Sequence, residues 1–170
     1  MKGTMADYYT NFSLILPLTD VAQKQYALSL SQTAQNCRFE ESELPPDFPE
    51  SLKDHLEDWV FELIDQDEGI WVHSESGGID AVCAFIQHLL QRFQLTYRVS
   101  FEWSHDCSKP RTDAFGGGAA VISAKEIKTL TTSEWLKEQT RHVFSPQTDR
   151  CLYCNISAED DLLENQPCGH

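Results

Sequence analysis

Basic residues are scarce in this sequence, which has 13 lysines and arginines against 27 aspartates and glutamates and a formal net charge of −14. A protein that binds nucleic acid directly needs a patch of positive charge, because phosphate contacts supply much of the affinity. Residues 81–128 come nearest to such a patch, with six basic and four acidic residues. Direct nucleic-acid binding is therefore not expected.

Long hydrophobic runs are also lacking. No stretch approaches the roughly 18 consecutive apolar residues of a membrane helix, and residues 1–7 have neither the basic start nor the apolar run of a signal peptide. We therefore expect a cytoplasmic protein without a membrane partner. In that compartment the six cysteines are expected to be thiols or metal ligands.

Hydrophobic periodicity predicts an ordered series of strands and helices. Alternation with a period of two indicates strands, and apolar residues at i, i+3, i+4 and i+7 indicate helices. Strands are predicted at 11–16, 59–64, 70–74, 97–104 and 118–123. Helices are predicted from Thr19 or Asp20 to about Asn36, at 50–56, at 79–93, and from a Thr131/Glu134 capping box to about His142.

This order predicts an α+β fold. We expect a ferredoxin-like βαββαβ antiparallel sheet with one extra edge strand, helices on one face, and a C-terminal helix and tail. The predicted domains are an α+β domain at 1–143 and a cysteine-bearing tail at 144–170, which is polar and acidic beyond Pro146. All four tryptophans are expected in the core, Cys83 is expected to be a core thiol, and His73 a surface or hydrogen-bonded strand residue.

The tail carries the most specific chemical pattern. Cys151-x2-Cys154-x13-Cys168-x-His170 offers three thiolates and one imidazole, the ligands that tetrahedral Zn²⁺ prefers. His142 is an alternative fourth ligand. A structural zinc site would explain how a tail with few apolar residues becomes ordered. The alternatives are a disordered tail with free thiols and a Cys151–Cys154 redox pair.

A second group of reactive residues lies in the loop after the fourth predicted strand. Cys107 is a potential nucleophile with His105 as its base, Lys109 and Arg111 supply positive charge, and the amides of Gly116 to Gly118 offer an anion site. A base only two residues from the nucleophile needs a special loop geometry, however. The alternative is a long hairpin loop in which the glycines have no chemical role and only allow backbone conformations that other residues avoid.

Residues 37–80 hold most of the negative charge, with 14 acidic residues against Arg38 and Lys53. We expect this segment to be a solvent-exposed surface. Such a surface suits a basic protein partner, although it is also an ordinary means of solubility.

Four motifs resemble those of a group of small bacterial, plasmid-borne and phage-borne proteins without an assigned activity. They are W-V-H-S-E at 71–75, C-S-K-P-R at 107–111, F-G-G-G-A-A at 115–120 and W-L-x-E-Q at 135–139. The resemblance covers about residues 10–140 and implies a link to mobile elements, with interaction or counter-defence roles. The tail from Phe144 onward departs from the group.

Taken together, these patterns predict a non-catalytic interaction or regulatory protein with an acidic surface and a zinc-stabilised tail. The alternative is a small enzyme that uses the His105–Cys107 loop with the amides of Gly116 to Gly118.

Overall fold

The computed structural model describes residues 6–40, 43–109, 114–159 and 168. The chain forms two compact units, Met1–Thr129 and Leu130–His170, which we call unit 1 and unit 2. This division comes earlier than the boundary predicted after residue 143, so the last helix and His142 belong with the cysteine-bearing segment. No helix in the described part of the chain combines the length and the hydrophobicity that crossing a membrane requires.

The described residues contain six strands and four helices. In chain order these are β1 (Tyr8–Leu16), α1 (Val21–Glu40), α2 (Glu50–Lys53), β2 (Glu62–Gln66), β3 (Gly69–Ser74), α3 (Ile79–Arg92), β4 (Val99–Cys107), β5 (Gly116–Ile122), β6 (Ile127–Thr131) and α4 (Thr132–Gln139).

The strands form one open sheet with the order β2-β3-β1-β4-β5-β6. The registered pairs β1–β3, β1–β4, β2–β3 and β4–β5 are all antiparallel. The α+β class and the antiparallel sheet are therefore confirmed. The ferredoxin-like topology is not, because the strand order of the six-stranded sheet differs from it. The sequence also predicted one extra strand where β5 and β6 both extend the sheet.

Local side-chain chemistry accounts for the helix starts. Asp20 caps α1 by accepting a hydrogen bond from the Gln23 amide at 2.9 Å, as expected for an N-cap. The predicted Thr131/Glu134 capping box is present at α4. Before α3, Gly78 has φ of 79°, and a Cβ there would lie 2.6 Å from the Asp58 carbonyl oxygen. That position requires glycine.

The core of unit 1 lies on one face of the sheet. Alternate side chains of β1, β3 and β4 are buried there in one cluster with residues of α1 and α3. The predicted helix face is confirmed, since Val82, Cys83, Ile86 and Leu90 are all buried. Burial, and then the Asp80 charge, raise the pKa of Cys83 to about 12, as expected for a core thiol.

The opposite face of the sheet carries the other alternate residues, which are exposed or half-buried. We call this the open face and define it by residues of β1, β3 and β4: Ser13, Ile15, Trp71, His73, Ser100, Glu102 and Ser104.

The predicted strand at 59–64 begins later than expected, at Glu62. Trp59 and Phe61 instead lie in the segment that leads into β2, where Trp59 is 1% and Phe61 0% exposed. The Trp59 amide donates a hydrogen bond to the Leu56 carbonyl at 3.2 Å, which forms a turn. The Trp59 indole donates a hydrogen bond to the buried Ser31 hydroxyl at 3.0 Å. These bonds hold the segment out of the strand ladder while its aromatic rings fill the core.

Two of the four tryptophans are not core residues. Trp59 and Trp103 are buried, as predicted, but Trp71 is half-buried on the open face. Trp135 is 49% exposed in α4, a helix with no buried residue. The reason is that α4 belongs to unit 2, whose described buried side chains are limited to Ser145, Cys151 and Cys168.

Candidate metal centre

Four side chains of unit 2 meet in one cluster. His142, Cys151, Cys154 and Cys168 each place one ligand atom within 4.8 Å of the others. The Sγ atoms of Cys151 and Cys168 are 3.5 Å apart, and the Cys154 Sγ lies 3.2 Å from the His142 Nδ1. Zn–S bonds of about 2.3 Å in a tetrahedron would separate two sulfurs by about 3.8 Å. The donor set and its spacing are therefore compatible with zinc.

A short turn presents the first two cysteines. Cys151 pairs with Phe144 in an antiparallel bridge, and its amide donates to the Ile156 carbonyl at 2.9 Å. The Asn155 amide donates back to the Cys151 carbonyl at 3.0 Å. Asn155 has φ of 62°, a left-handed conformation that asparagine tolerates better than most residues. The turn places Cys154 on the same side as Cys151.

The other two ligands are brought in by the end of α4. The helix terminates at the C-cap Thr140, and His142 follows two residues later. The Thr140 carbonyl accepts a hydrogen bond from the Cys168 amide at 2.7 Å. The end of α4 therefore positions both His142, which is close in sequence, and Cys168, which is distant in sequence.

Burial in unit 2 is concentrated at this cluster. Cys151 is 3% and Cys168 4% exposed, whereas the apolar residues Val143, Leu152 and Tyr153 are 42%, 65% and 62% exposed. Hydrophobic burial therefore contributes little to ordering the described part of this unit. A bound metal ion supplies folding free energy in such small modules.

The two buried thiols differ in acidity. Burial raises the pKa of Cys151, but hydrogen bonds from the Cys154 and Tyr153 amides, together with His142, outweigh it and lower this pKa to about 5. Burial and the neighbouring sulfurs raise the pKa of Cys168 to about 12. Thiolates this close repel one another, so a cation is needed for all of them to be deprotonated together.

The structure places three predicted ligands, Cys151, Cys154 and Cys168, together with His142, which the sequence offered as the alternative fourth ligand. His170 lies outside the described residues, so its role as a ligand stays a prediction. The spacing of Cys151 and Cys154 was a sufficient sequence signal for the first pair. His142 has no such local signal, because only the turn at the end of α4 brings it to the cysteines.

The second predicted group of reactive residues is not assembled in the same way. Cys107 is buried at the end of β4, and its amide is bonded to the Asp106 carboxylate at 2.6 Å. The His105 Nδ1 is hydrogen-bonded to the Thr10 hydroxyl of β1 at 2.9 Å. Among the described residues, no hydrogen bond joins His105 to Cys107. Arg111 lies outside the described residues.

The glycine run belongs to a strand and not to a loop. Gly116 to Gly118 pair with β4 opposite His105, Ser104 and Trp103. A Cβ at Gly117 would lie 2.2 Å from the Trp103 carbonyl oxygen. Close approach of the two strands therefore explains this glycine without an anion site.

Cys107 is expected to react slowly with iodoacetamide in the folded protein, because a buried structural thiol is inert. Denaturation should increase its labelling rate by about tenfold or more. Peptide mass spectrometry over a time course measures this rate, with the exposed Cys154 in chelator-treated protein as an internal reference. Fast labelling of Cys107 in the folded protein below neutral pH would instead identify an activated nucleophile.

No family model matches the chain, and neither a curated protein nor a solved structure is significantly similar to it. The resemblance to bacterial, plasmid-borne and phage-borne proteins therefore stays a prediction.

Proposed function

We propose that the protein is a non-catalytic interaction or regulatory protein. In this proposal unit 2 is a structural zinc module, and the acidic surface of unit 1 binds a basic protein partner. The observation that carries the proposal is the cluster of four protein ligands at unit 2. The resemblance noted in the sequence favours a partner encountered by mobile elements.

A closed ligand set supports a structural role for the metal. Catalytic zinc sites keep one position open for water or substrate and use three protein ligands. His142, Cys151, Cys154 and Cys168 would fill all four positions of a tetrahedral ion. Zinc held in this way stabilises the module and leaves no position for a substrate.

The acidic surface supports the choice of partner. All twelve acidic residues described within 37–80 are exposed, as predicted. Asp65 is paired with Lys24 at 2.7 Å, and Glu50 with Lys53 at 2.6 Å. An exposed surface of one sign speeds the encounter with a partner of the opposite sign.

We also infer that strands β1 to β4 and helices α1 and α3 constitute the ferredoxin-like part of the fold, to which β5 and β6 are additions. The sub-order β2-β3-β1-β4, antiparallel at each registered pair, supports this inference. This fold hosts enzymes and binding modules alike, so it does not decide the function.

Neutralising part of the acidic surface is expected to weaken partner binding. The test variant carries Glu43→Gln, Asp47→Asn, Asp54→Asn and Glu57→Gln. A partner is first identified by cross-linking in cells and mass spectrometry, and the purified pair is then measured by interferometry. The association rate should fall about tenfold or more in the variant, and native binding should weaken as salt screens charges beyond about 8 Å.

The matched control removes four exposed acids that lie outside the segment, through Asp7→Asn, Glu126→Gln, Glu138→Gln and Glu159→Gln. It makes the same change in net charge and should retain most of the association rate. A partner that binds all three proteins equally well, at low and high salt, would contradict the proposed role of the acidic surface.

A further inference from the structure

The open face contains a groove that the proposed zinc module does not involve. It has a volume of about 610 Å³ and lies wholly within unit 1. This volume is in the range of ligand pockets in proteins, about 300–1,000 Å³. The lining residues that matter here are Ser13, Trp71, His73, Glu75, Glu102 and Ser104.

Trp71 and His73 form an aromatic platform in the groove. Their rings stack with centroids 4.1 Å apart and an interplanar angle of 28°. The Trp71 indole nitrogen donates to the Ser13 hydroxyl of the neighbouring strand at 2.8 Å. This bond and the stack restrain the indole, so little side-chain entropy remains to be lost when a ligand binds.

Negative charge surrounds this platform. Glu75 and Glu102 line the groove and are exposed, and none of its ten lining residues is a lysine or an arginine. Glu62 of β2 pairs with His73 in the sheet register, with its carboxylate 3.9 Å from the His73 Nε2. That buried nitrogen makes no hydrogen bond within the described part of the chain. The groove therefore combines aromatic rings with carboxylates.

We propose that this groove binds an arginine side chain from an extended segment of the basic partner. A planar guanidinium stacks on an aromatic ring while its N–H groups donate to carboxylates. The Trp71–His73 platform provides the ring surface, and Glu75 and Glu102 provide the acceptors. The inference rests on the proposed function and deepens it, since it names the group of the partner that is recognised.

Arginine fits this groove better than lysine does. The guanidinium is flat, weakly hydrated and has five donors, whereas the lysine ammonium is a compact and strongly hydrated charge. The groove also favours a protein segment over a free cation, because Glu62 on the neighbouring strand adds to Glu75 and Glu102 and extends the attraction beyond one side chain. Tryptophan and arginine are, moreover, frequent energetic anchors of protein interfaces.

Binding of a synthetic peptide with four arginines separated by glycine and serine tests this proposal. Fluorescence anisotropy of the labelled peptide on full-length protein measures Kd for native protein and for Glu102→Gln, Glu75→Gln and Trp71→Phe. We expect at least a fivefold increase in Kd for each glutamate variant. The matched peptide with four lysines should bind at least fivefold more weakly than the arginine peptide.

The control is Glu68→Gln, which removes one exposed charge at the β2–β3 turn and not in the groove. It should change Kd less than twofold. An equal loss in Glu68→Gln and Glu102→Gln, or equal binding of the two peptides, would overturn the proposal in favour of diffuse attraction. Free arginine that matches the peptide in affinity would overturn the protein segment as the ligand.

Binding should persist in the Cys151→Ser/Cys154→Ser variant, because the groove lies in unit 1. Measuring peptide binding by this variant tests the groove independently of the proposed zinc site. Intact peptide binding in a variant that has lost its zinc would support arginine binding in the groove. Absent peptide binding in zinc-loaded protein would contradict the groove proposal without affecting the proposed zinc site.

Discussion

Purified protein is expected to carry about one zinc ion per chain, and replacing both Cys151 and Cys154 by serine should bring this content close to zero. Each substitution removes a thiolate from a four-ligand set, and the remaining donors cannot complete a tetrahedral site. Elemental analysis of protein prepared without chelator measures the content. Hydrogen exchange should show loss of amide protection in unit 2, because metal binding is expected to supply folding free energy to this unit.

Further single substitutions test which residues bind the zinc ion. Cys37→Ser makes the same chemical change in α1 of unit 1, at a cysteine that is not one of the four clustered residues, and should leave the zinc content unchanged. His142→Ala should weaken zinc affinity by at least the roughly 10–100-fold known for outer-shell partners of metal ligands. If His170→Ala lowers zinc affinity and His142→Ala does not, the fourth ligand is His170. Zinc that survives the double cysteine substitution would contradict the site.

Replacing Phe85 by alanine is expected to destabilise unit 1 by about 3–5 kcal/mol, the usual cost of deleting a buried aromatic ring. Phe85 is fully buried, and its ring centroid lies 5.5 Å from that of Trp59 and 5.6 Å from that of Phe61. Deleting it would leave a cavity beside the Trp59 and Phe61 rings, which are themselves buried. Urea unfolding followed by tryptophan fluorescence measures the change in free energy of unfolding.

Phe115→Ala is the matched control for this substitution. Phe115 is 62% exposed just before β5, so its loss should change the free energy of unfolding by about 0.5 kcal/mol or less. The zinc content should be unaffected in both variants. A similar loss of stability in the two proteins would mean that Phe85 does not occupy a packed core.

Strong local signals in the sequence were enough to place several elements. The helix at 79–93 was predicted from its repeating apolar face, and α3 spans Ile79–Arg92 with that face buried. The cap at Thr131 was predicted, and Asp20 was one of the two caps predicted for α1, because each cap depends on residues three positions apart. Such patterns depend only on neighbours along the chain.

Features set by distant contacts were not predicted. The edge strand β6 has little burial and hence no apolar alternation to reveal it. The glycine run was assigned to a loop because nothing in the sequence shows that the Trp103 carbonyl lies against Gly117. His142 was only a second choice as a ligand, since twelve positions separate it from Cys154. In each case the deciding neighbour is remote in sequence.

A hydrogen bond between the Cys168 amide and the Thr140 carbonyl holds Cys168 beside the end of α4, so a metal ion bound at the cluster would have a topological role. His142 and Cys168 are 26 positions apart, so an ion that holds both closes a loop of the chain as a cross-link does. Cross-links stabilise proteins largely by reducing the number of conformations open to the unfolded chain, and longer loops gain more in that account. Unlike a disulfide, this cross-link is opened by withdrawing an ion, so zinc availability would set the conformational entropy of the C-terminal segment.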